Sequence, residues 1–234
     1  INLEAEESEE AVENEKARIP KIAIVGQPNV GKSTLLNAIC GEKRTIVSPI
    51  AGTTVDPIDL DIKWNGHDFT LVDTAGIRKK AKVTEDIEYY SVLRSVRTIE
   101  NADVCLFMMD ASEGLQKQDL SIFYMIEKNS KGVVVLVNKW DLVEKDHNTM
   151  LEYEANLREQ LAPFNDVPII FTSTLTKQRI HKALETAMRV NENRTRKIAT
   201  HELNEVMLEV VAQTPPPAVK GKYIKIKFIQ MLPT

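Results

Sequence analysis

The 234-residue sequence lacks several features that mark particular protein classes. Its two cysteines, Cys40 and Cys105, are too few for a disulfide framework, which favours a reducing, cytoplasmic location. No apolar run approaches the roughly 18 residues that a transmembrane helix needs, and the runs at 104–109 and 133–137 have the length of core strands. With 43% hydrophobic and 27% charged residues, the composition excludes wholesale disorder and predicts a globular protein.

The charge distribution divides the chain into three segments. Residues 1–18 hold seven Glu against one Lys and one Arg, a net charge of −5, whereas the whole chain carries −4. Residues 193–234 hold seven Lys or Arg against three Glu, a net charge of +4. We therefore expect an acidic linker at 1–18, a folded body at 19–192 and a separate basic segment at 193–234.

Short apolar segments alternate with helical periodicity in the body. Strands are predicted at 21–25, 58–64, 69–73, 104–110, 133–138 and 168–172. Helices are predicted at 32–40, 85–101, 118–128, 148–161 and 179–191. Asn65-Gly66 predicts a type I′ hairpin, so the second and third strands should be antiparallel. The pattern predicts an α/β fold with a doubly wound, mostly parallel six-stranded sheet.

The basic segment has a different pattern. An amphipathic helix is predicted from Thr200, and the alternation at 222–230 predicts a strand. One helix and one strand cannot close a core in about forty residues, so we expect only part of an α+β domain here.

The first chemical motif follows the first predicted strand. Residues 26–33, Gly-Gln-Pro-Asn-Val-Gly-Lys-Ser, fit the phosphate-binding loop G-x-x-x-x-G-K-[ST]. Its backbone N–H groups and the helix N-terminus favour phosphate, Lys32 would reach the β- and γ-phosphates, and the Ser33 hydroxyl would bind Mg²⁺. Asp73, at the end of the third strand, can hold Mg²⁺ through water, and the Gly76 N–H can meet the γ-phosphate.

A second motif, Asn138-Lys139-Trp140-Asp141, closes the Val-rich strand. One carboxylate at Asp141 can accept both N1–H and the 2-amino group of guanine, whereas adenine would be repelled. The stem of Lys139 can cover the base plane, Asn138 can tie this loop to the phosphate loop, and Trp140 is expected to be a packing residue.

Together these motifs resemble the translation-factor-like GTPase class. That resemblance implies that a hydroxyl of Thr53 or Thr54, with Thr54 preferred, completes the Mg²⁺ shell in switch I. It also implies that Ser173-Thr174-Leu175 is the fifth guanine motif, with Thr174 where Ala is usual.

The wording of residues 27–38, 48–54 and 73–78 resembles the Der (EngA) family more closely, and 215–222 are similar to the start of its KH-like domain. These GTPases carry two consecutive G domains followed by a KH-like domain and act in large ribosomal subunit assembly. The resemblance implies that this chain is the linker between the G domains, the second G domain and a truncated KH-like domain. The implied partners are GTP or GDP, the large ribosomal subunit or its rRNA, and a missing preceding G domain, with neither membrane nor DNA.

Hydrolysis poses a separate question, because Ile77 stands where Ras-like enzymes have Gln. The resemblance implies that Asn29 helps to hold K⁺ beside the phosphates, so turnover is expected to be slow, Mg²⁺-dependent and stimulated by K⁺. Two alternatives stay open: an Era-like or RNA-modification GTPase, and a GTP-binding scaffold with little turnover.

The candidate site residues fall into three groups. Catalytic residues are Lys32, Thr54 and Gly76. Nucleotide-binding residues are Gly26, Asn29, Val30, Gly31, Lys32, Ser33, Thr34, Asn138, Lys139, Asp141, Ser173, Thr174 and Leu175. Metal-binding residues are Ser33, Thr54 and Asp73 for Mg²⁺ and Asn29 for K⁺.

Overall fold

The computed structural model describes residues 18–41, 45–49, 59–74, 77, 96–219 and 221–231. The chain divides between Asn191 and Glu192 into two compact units. Within the described residues, no helix is both long enough and apolar enough to cross a membrane.

The first unit is built on one seven-stranded sheet. The strands are β1 (Lys21–Gly26), β2 (Thr45–Pro49), β3 (Leu60–Trp64), β4 (His67–Leu71), β5 (Val104–Asp110), β6 (Gly132–Asn138) and β7 (Ile169–Phe171). Their order is β2-β3-β4-β1-β5-β6-β7, and β4, β1, β5, β6 and β7 are mutually parallel. The predicted doubly wound, mostly parallel fold is confirmed.

The antiparallel edge holds one strand more than the six predicted. Asn65 and Gly66 have positive φ angles of 49° and 82° and join β3 to β4 as the predicted antiparallel hairpin. Strand β2 then pairs antiparallel with β3 along all five of its residues. This strand lies between two sequence motifs, and its pairing with β3 was not predicted from local pattern.

Helices cover both faces of the sheet. The helices that cover it are α1 (Lys32–Cys40), α2 (Lys117–Lys128), α3 (Thr149–Gln160) and α4 (Ile180–Thr195), and α4 runs across the boundary between the two units. Successive residues of β1 alternate between two buried clusters, one containing residues of α1 and α4 and the other residues of α2 and α3. Of the predicted helix at 85–101, the described residues 96–100 are helical.

The second unit contains α5 (Thr200–Gln213), but 222–230 is not the predicted strand. Within 221–231 the only ladder contact is an isolated bridge between Val219 and Lys222, and the backbone of Ile229 bonds instead to the side chain of Asn204. Alternating apolar residues cannot form a strand without a neighbouring strand to accept the backbone bonds. Phe228 is accordingly 62% exposed.

Candidate nucleotide-binding site

The predicted motifs meet at the carboxyl edge of the sheet. The phosphate loop follows β1, which lies between β4 and β5, and the Asn138 motif ends β6. In open α/β sheets, ligands bind in the crevice at the carboxyl ends of the strands where the strand order reverses. The fold therefore places these motifs where such folds bind ligands.

The phosphate loop depends on glycine at both ends. Gly26 and Gly31 have φ angles of 145° and 106°, and a Cβ at Gly31 would lie 2.3 Å from the side-chain nitrogen of Asn138. Helix α1 begins directly after Gly31, so its N-terminal N–H groups face the loop. The Lys32 ammonium donates to the backbone oxygens of Gly26, at 2.8 Å, and of Gln27. In this arrangement the ammonium is held inside the loop.

The other candidate residues of the phosphate loop and the start of α1 differ in how far they are exposed to solvent. Asn29 is exposed and has a positive φ of 64°, Val30 is 4% exposed, and Thr34 is exposed on the first turn of α1. The Asn29 side chain thus lies on the open side of the loop, where a polar group can face a ligand.

Two oxygen donors in the site fit Mg²⁺. The Ser33 hydroxyl donates to the Ile77 carbonyl at 2.9 Å, and the Asp73 carboxylate accepts from the Thr98 hydroxyl at 2.7 Å. No group of three or more His, Cys, Asp or Glu side chains that could hold a metal occurs among the described residues. Mg²⁺ in phosphate sites is bound by one or two protein oxygens, waters and the phosphates themselves, which suits a hydroxyl and a carboxylate.

Asn138 joins three loops. Its side-chain nitrogen donates to the Val30 carbonyl at 2.7 Å, as expected from sequence, and its oxygen accepts from the Thr174 N–H at 3.0 Å. Further contacts reach the hydroxyls of Thr174 and Thr172 at 3.2 and 3.3 Å. Asn138 is 1% exposed, so these bonds form away from solvent. The phosphate loop, the Asn138 loop and the Ser173 loop are thus fixed relative to one another.

The two charges of the Asn138 motif have different environments. Lys139 has a positive φ of 60° and its ammonium lies 2.5 Å from a carboxylate oxygen of Asp110. Asp141 is exposed, so its carboxylate faces solvent. The Asp141 carboxylate is therefore accessible to a ligand.

Burial and hydrogen bonding act in opposite directions on Asp110. Burial raises its pKa, but hydrogen bonds from Lys139 and Ser112 outweigh this and hold the pKa of Asp110 below its ordinary value. The carboxylate therefore stays ionised beside Lys139.

The fifth-motif residues follow β7. Ser173 is buried and its hydroxyl accepts from the Thr176 N–H at 3.2 Å, Thr174 is 6% exposed, and Leu175 is 79% exposed. Trp140 is 3% exposed and its ring centroid lies 4.4 Å from that of Phe171, which confirms that Trp140 is a packing residue.

A buried carboxylate lies close to the phosphate loop. Asp119, in the first turn of α2, is 2% exposed, and one of its oxygens has no hydrogen-bond partner within the structure described here. Burial raises the pKa of Asp119, although the Gln116 N–H, the Gln27 side chain and the Lys32 charge lower it. Burial, together with the charges of Asp110 and Asp119, raises the pKa of Tyr153 to about 12.

Some predicted residues lie outside the described residues, and some contacts were not predicted. Thr53, Thr54 and Gly76 lie outside them. Asp110 contacts Lys139 and Thr98 contacts Asp73, and neither Asp110 nor Thr98 was predicted as a site residue. Asp110 could have been predicted, because it is an acidic residue at the end of a buried parallel strand, and that strand lies beside the one that ends at Asn138.

Residues 21–139 match the family model described as 50S ribosome-binding GTPase. Residues 197–234 match the model described as the C-terminal KH-domain-like region of EngA bacterial GTPase enzymes. The chain belongs to the Der (EngA) family of 50S ribosome-binding GTPases.

Curated relatives carry the family name over nearly the whole chain. GTPase Der of Christiangramia forsetii is 56% identical over 225 residues, covering 96% of this chain and 52% of that protein. GTPase Der of Bacteroides thetaiotaomicron is 60% identical over 216 residues, covering 92% of this chain and 49% of that protein. The chain therefore spans about half the length of these Der relatives.

Solved structures of a related GTPase share the fold. Era in complex with MgGDPNP and a segment of 16S ribosomal RNA is 28% identical with a TM-score of 0.56, covering 74% of this chain and 56% of that one. An Aquifex aeolicus Era variant bound to GDP·AlF₄⁻ is 29% identical with a TM-score of 0.55, over the same shares of the two chains.

Proposed function

We propose that this chain binds and hydrolyses GTP as a molecular switch in assembly of the large ribosomal subunit. The hydrogen bond from Asn138 to the Val30 carbonyl, 2.7 Å long, is the observation that carries the proposal. It holds the loop suited to phosphates against the loop suited to guanine, so one nucleotide can occupy both. The Der relatives and the GTPase family model support the same function.

Each end of the nucleotide has its own residues. Backbone N–H groups of residues 26–34 surround the phosphates, and Lys32 moves from its loop carbonyls to the β- and γ-phosphates. Ser33, Thr54 and Asp73 hold Mg²⁺, directly or through water; when bound, the ion neutralises charge on the phosphate oxygens. The N–H of Gly76 meets the γ-phosphate.

Asp141 selects the base. Its exposed carboxylate accepts from N1–H and the 2-amino group of guanine, while the stem of Lys139 covers the base plane. Backbone N–H groups of Ser173, Thr174 and Leu175 face the guanine oxygen. An adenine ring would present a lone pair to the same carboxylate, which is repulsive.

The variant Asp141→Asn tests this function. The amide replaces one acceptor by a donor, so GTP affinity should fall at least about tenfold, or about 1.4 kcal/mol, while XTP affinity rises. Asp166→Asn is the matched control, because Asp166 is an exposed carboxylate that belongs to none of the motifs. Equal GTP affinity in Asp141→Asn and the wild type would contradict the assignment.

Hydrolysis is proposed to be slow and stimulated by K⁺. The Ile77 side chain cannot orient water by hydrogen bonding, and Asn29 offers an exposed side-chain amide on the phosphate loop for a monovalent cation. Turnover in KCl should therefore exceed turnover in NaCl at equal ionic strength, and Asn29→Ala should lose that difference. Asn165→Ala, a change at an exposed Asn elsewhere, should keep it. Equal rates in both salts would exclude the K⁺ mechanism, and binding without turnover would favour a scaffold.

The domain organisation we propose follows the family. Residues 1–18 are a linker, 19–192 a G domain and 193–234 part of a KH-like domain, with a preceding G domain in the longer protein. The location is cytoplasmic and the partner is the large ribosomal subunit or its rRNA. The amount of chain that co-sediments with purified large subunits should differ between GTP and GDP. For Asp141→Asn, XTP should take the place of GTP in this experiment. Binding to the small subunit alone would favour an Era-like role.

A further inference from the structure

An ion pair with a buried carboxylate holds the half-buried side chain of Lys139. Asp110 ends β5 directly opposite Asn138 of β6, and its carboxylate oxygen lies 2.5 Å from the Lys139 ammonium. The Asp110 side chain is 6% exposed, and its other oxygen accepts from the N–H and hydroxyl of Ser112 at 2.9 and 2.7 Å. The carboxylate is thus held on both sides.

The backbone on either side of Lys139 is fixed as well. The Ala111 N–H donates to the Asn138 carbonyl at 2.8 Å, and the Trp140 N–H donates to the Thr172 carbonyl at 3.0 Å. Lys139 itself has a positive φ of 60°, a conformation that a side-chain-bearing residue adopts only when its surroundings determine it. With its backbone and its ammonium both held, the aliphatic stem between them has little freedom left.

The same ion pair keeps the ammonium away from a neighbouring acid. Lys139 and Asp141 are two residues apart, and a lysine ammonium is mobile enough to pair with either carboxylate. In the structure the ammonium contacts buried Asp110, while the exposed Asp141 carboxylate is left to a ligand. An ion pair between Lys139 and Asp141 would have to break before a base could bind.

We propose that Asp110 is a positioning residue for guanine recognition, acting through Lys139. It orders the lysine stem for contact with the base plane and leaves Asp141 open to the base. This inference rests on the proposed function, because it assumes that Lys139 and Asp141 meet a guanine base. In this role Asp110 acts through its contact with Lys139 and not by contacting the nucleotide.

Loss of the ion pair has a calculable effect. Immobilising a lysine side chain costs up to about 2 kcal/mol of rotamer entropy, which the ion pair now offsets before binding. If binding must order the stem instead, GTP and GDP affinity should fall about five- to thirty-fold. Affinity for inorganic tripolyphosphate should not change, since it contacts only the phosphate loop.

The experiment compares Asp110→Asn, Lys139→Met and the double variant by titration with GDP and with tripolyphosphate. Met keeps a stem of similar length without the charge, so all three variants should lose about the same guanine affinity. Asp68→Asn is the control, because it removes an exposed lysine partner, at 3.3 Å from Lys63, in the β3–β4 hairpin. Wild-type affinity is expected there.

The outcomes separate the alternatives. Losses in the single variants that add in the double variant would overturn the proposal, because Asp110 would then act independently of Lys139. A loss of tripolyphosphate affinity as large as the loss of GDP affinity in Asp110→Asn would also overturn it, since Asp110 would then support the whole site. If Asp110→Asn does not fold, Lys139→Met decides, and full GDP affinity in it refutes the proposal. Failure of the wild type to bind GDP would instead refute the proposed function.

Discussion

Replacing Asn138 by Ala tests whether the site is held together by one buried side chain. The amide donates to the Val30 carbonyl at 2.7 Å and accepts from the Thr174 N–H at 3.0 Å. Ala leaves both backbone groups without these partners, and both residues are buried, at 4% and 6% exposure. The contact to Thr172 also disappears, but that hydroxyl can rotate toward another acceptor.

The expected loss of stability follows from those two groups. A buried donor or acceptor without a partner costs about 1–3 kcal/mol, so Asn138→Ala should lower the free energy of unfolding by about 2–6 kcal/mol. Against a typical total of about 5–15 kcal/mol, a change of this size is readily measured.

Urea unfolding followed by tryptophan fluorescence measures the change. The chain has two tryptophans, Trp64 and Trp140, and both are 3% exposed in the first unit, so the signal reports that unit. Asn165→Ala is the control, because Asn165 is exposed and a surface change of this kind costs within about 0.5 kcal/mol. A loss in Asn138→Ala no greater than in the control would refute the argument that these bonds hold the loops.

Three further predictions follow from the same structure. Gly31→Ala should abolish GDP binding in titrations, because its Cβ would lie 2.3 Å from the Asn138 amide, whereas Gly114→Ala, with positive φ but open space, should bind normally. Burial raises the pKa of Asp119 above 3.8, so its ionised form is disfavoured in the folded chain and stability falls as pH rises through the folded pKa. In urea unfolding measured from pH 3 upward, the free energy of unfolding of Asp119→Asn should therefore rise relative to that of the wild type as pH rises. A difference that does not change with pH would contradict this. Amides of 223–228 should exchange with solvent far faster than those of strand β6, as read by hydrogen–deuterium exchange, because they lie outside any strand; equal protection would contradict the description of this segment.

The fold was predictable wherever a segment's pattern matched its burial. Strand β5 is buried along its whole length, and its continuous apolar run predicts a parallel strand covered on both faces. The Asn65-Gly66 turn predicted the antiparallel hairpin from backbone preference alone. Strand β2 was missed because pairing with β3, rather than a local period, defines it. The predicted strand at 222–230 was wrong for the same reason. Alternation of apolar and polar residues gives a segment one apolar face, but it does not provide the neighbouring strand with which the segment must pair.

The candidate site divides along similar lines. The phosphate loop and the Asn138 motif were predicted because each is a contiguous sequence motif whose residues have fixed chemical roles. The hydrogen bond from Asn138 to Val30 joins residues 108 positions apart, yet it was expected, because both residues belong to such motifs. Thr98, which donates to Asp73, belongs to no motif and lies on a helical segment whose position only the fold determines.

The contacts of Asn138 and Asp110 imply that the phosphate and base halves of the site are coupled. Asp110 and Asn138 end adjacent parallel strands in register, so the loops that follow them begin at the same level of the sheet. Asn138 extends toward the phosphate loop and Asp110 toward the Lys139 ammonium. A rigid pair of strand ends thus orients both halves at once, and a shift of one loop is resisted by the other. Ordering these loops before binding reduces the entropy that a nucleotide must otherwise overcome. If the proposed function holds, the strength of nucleotide binding depends on Asp110, which acts through Lys139, as well as on the residues that contact the nucleotide.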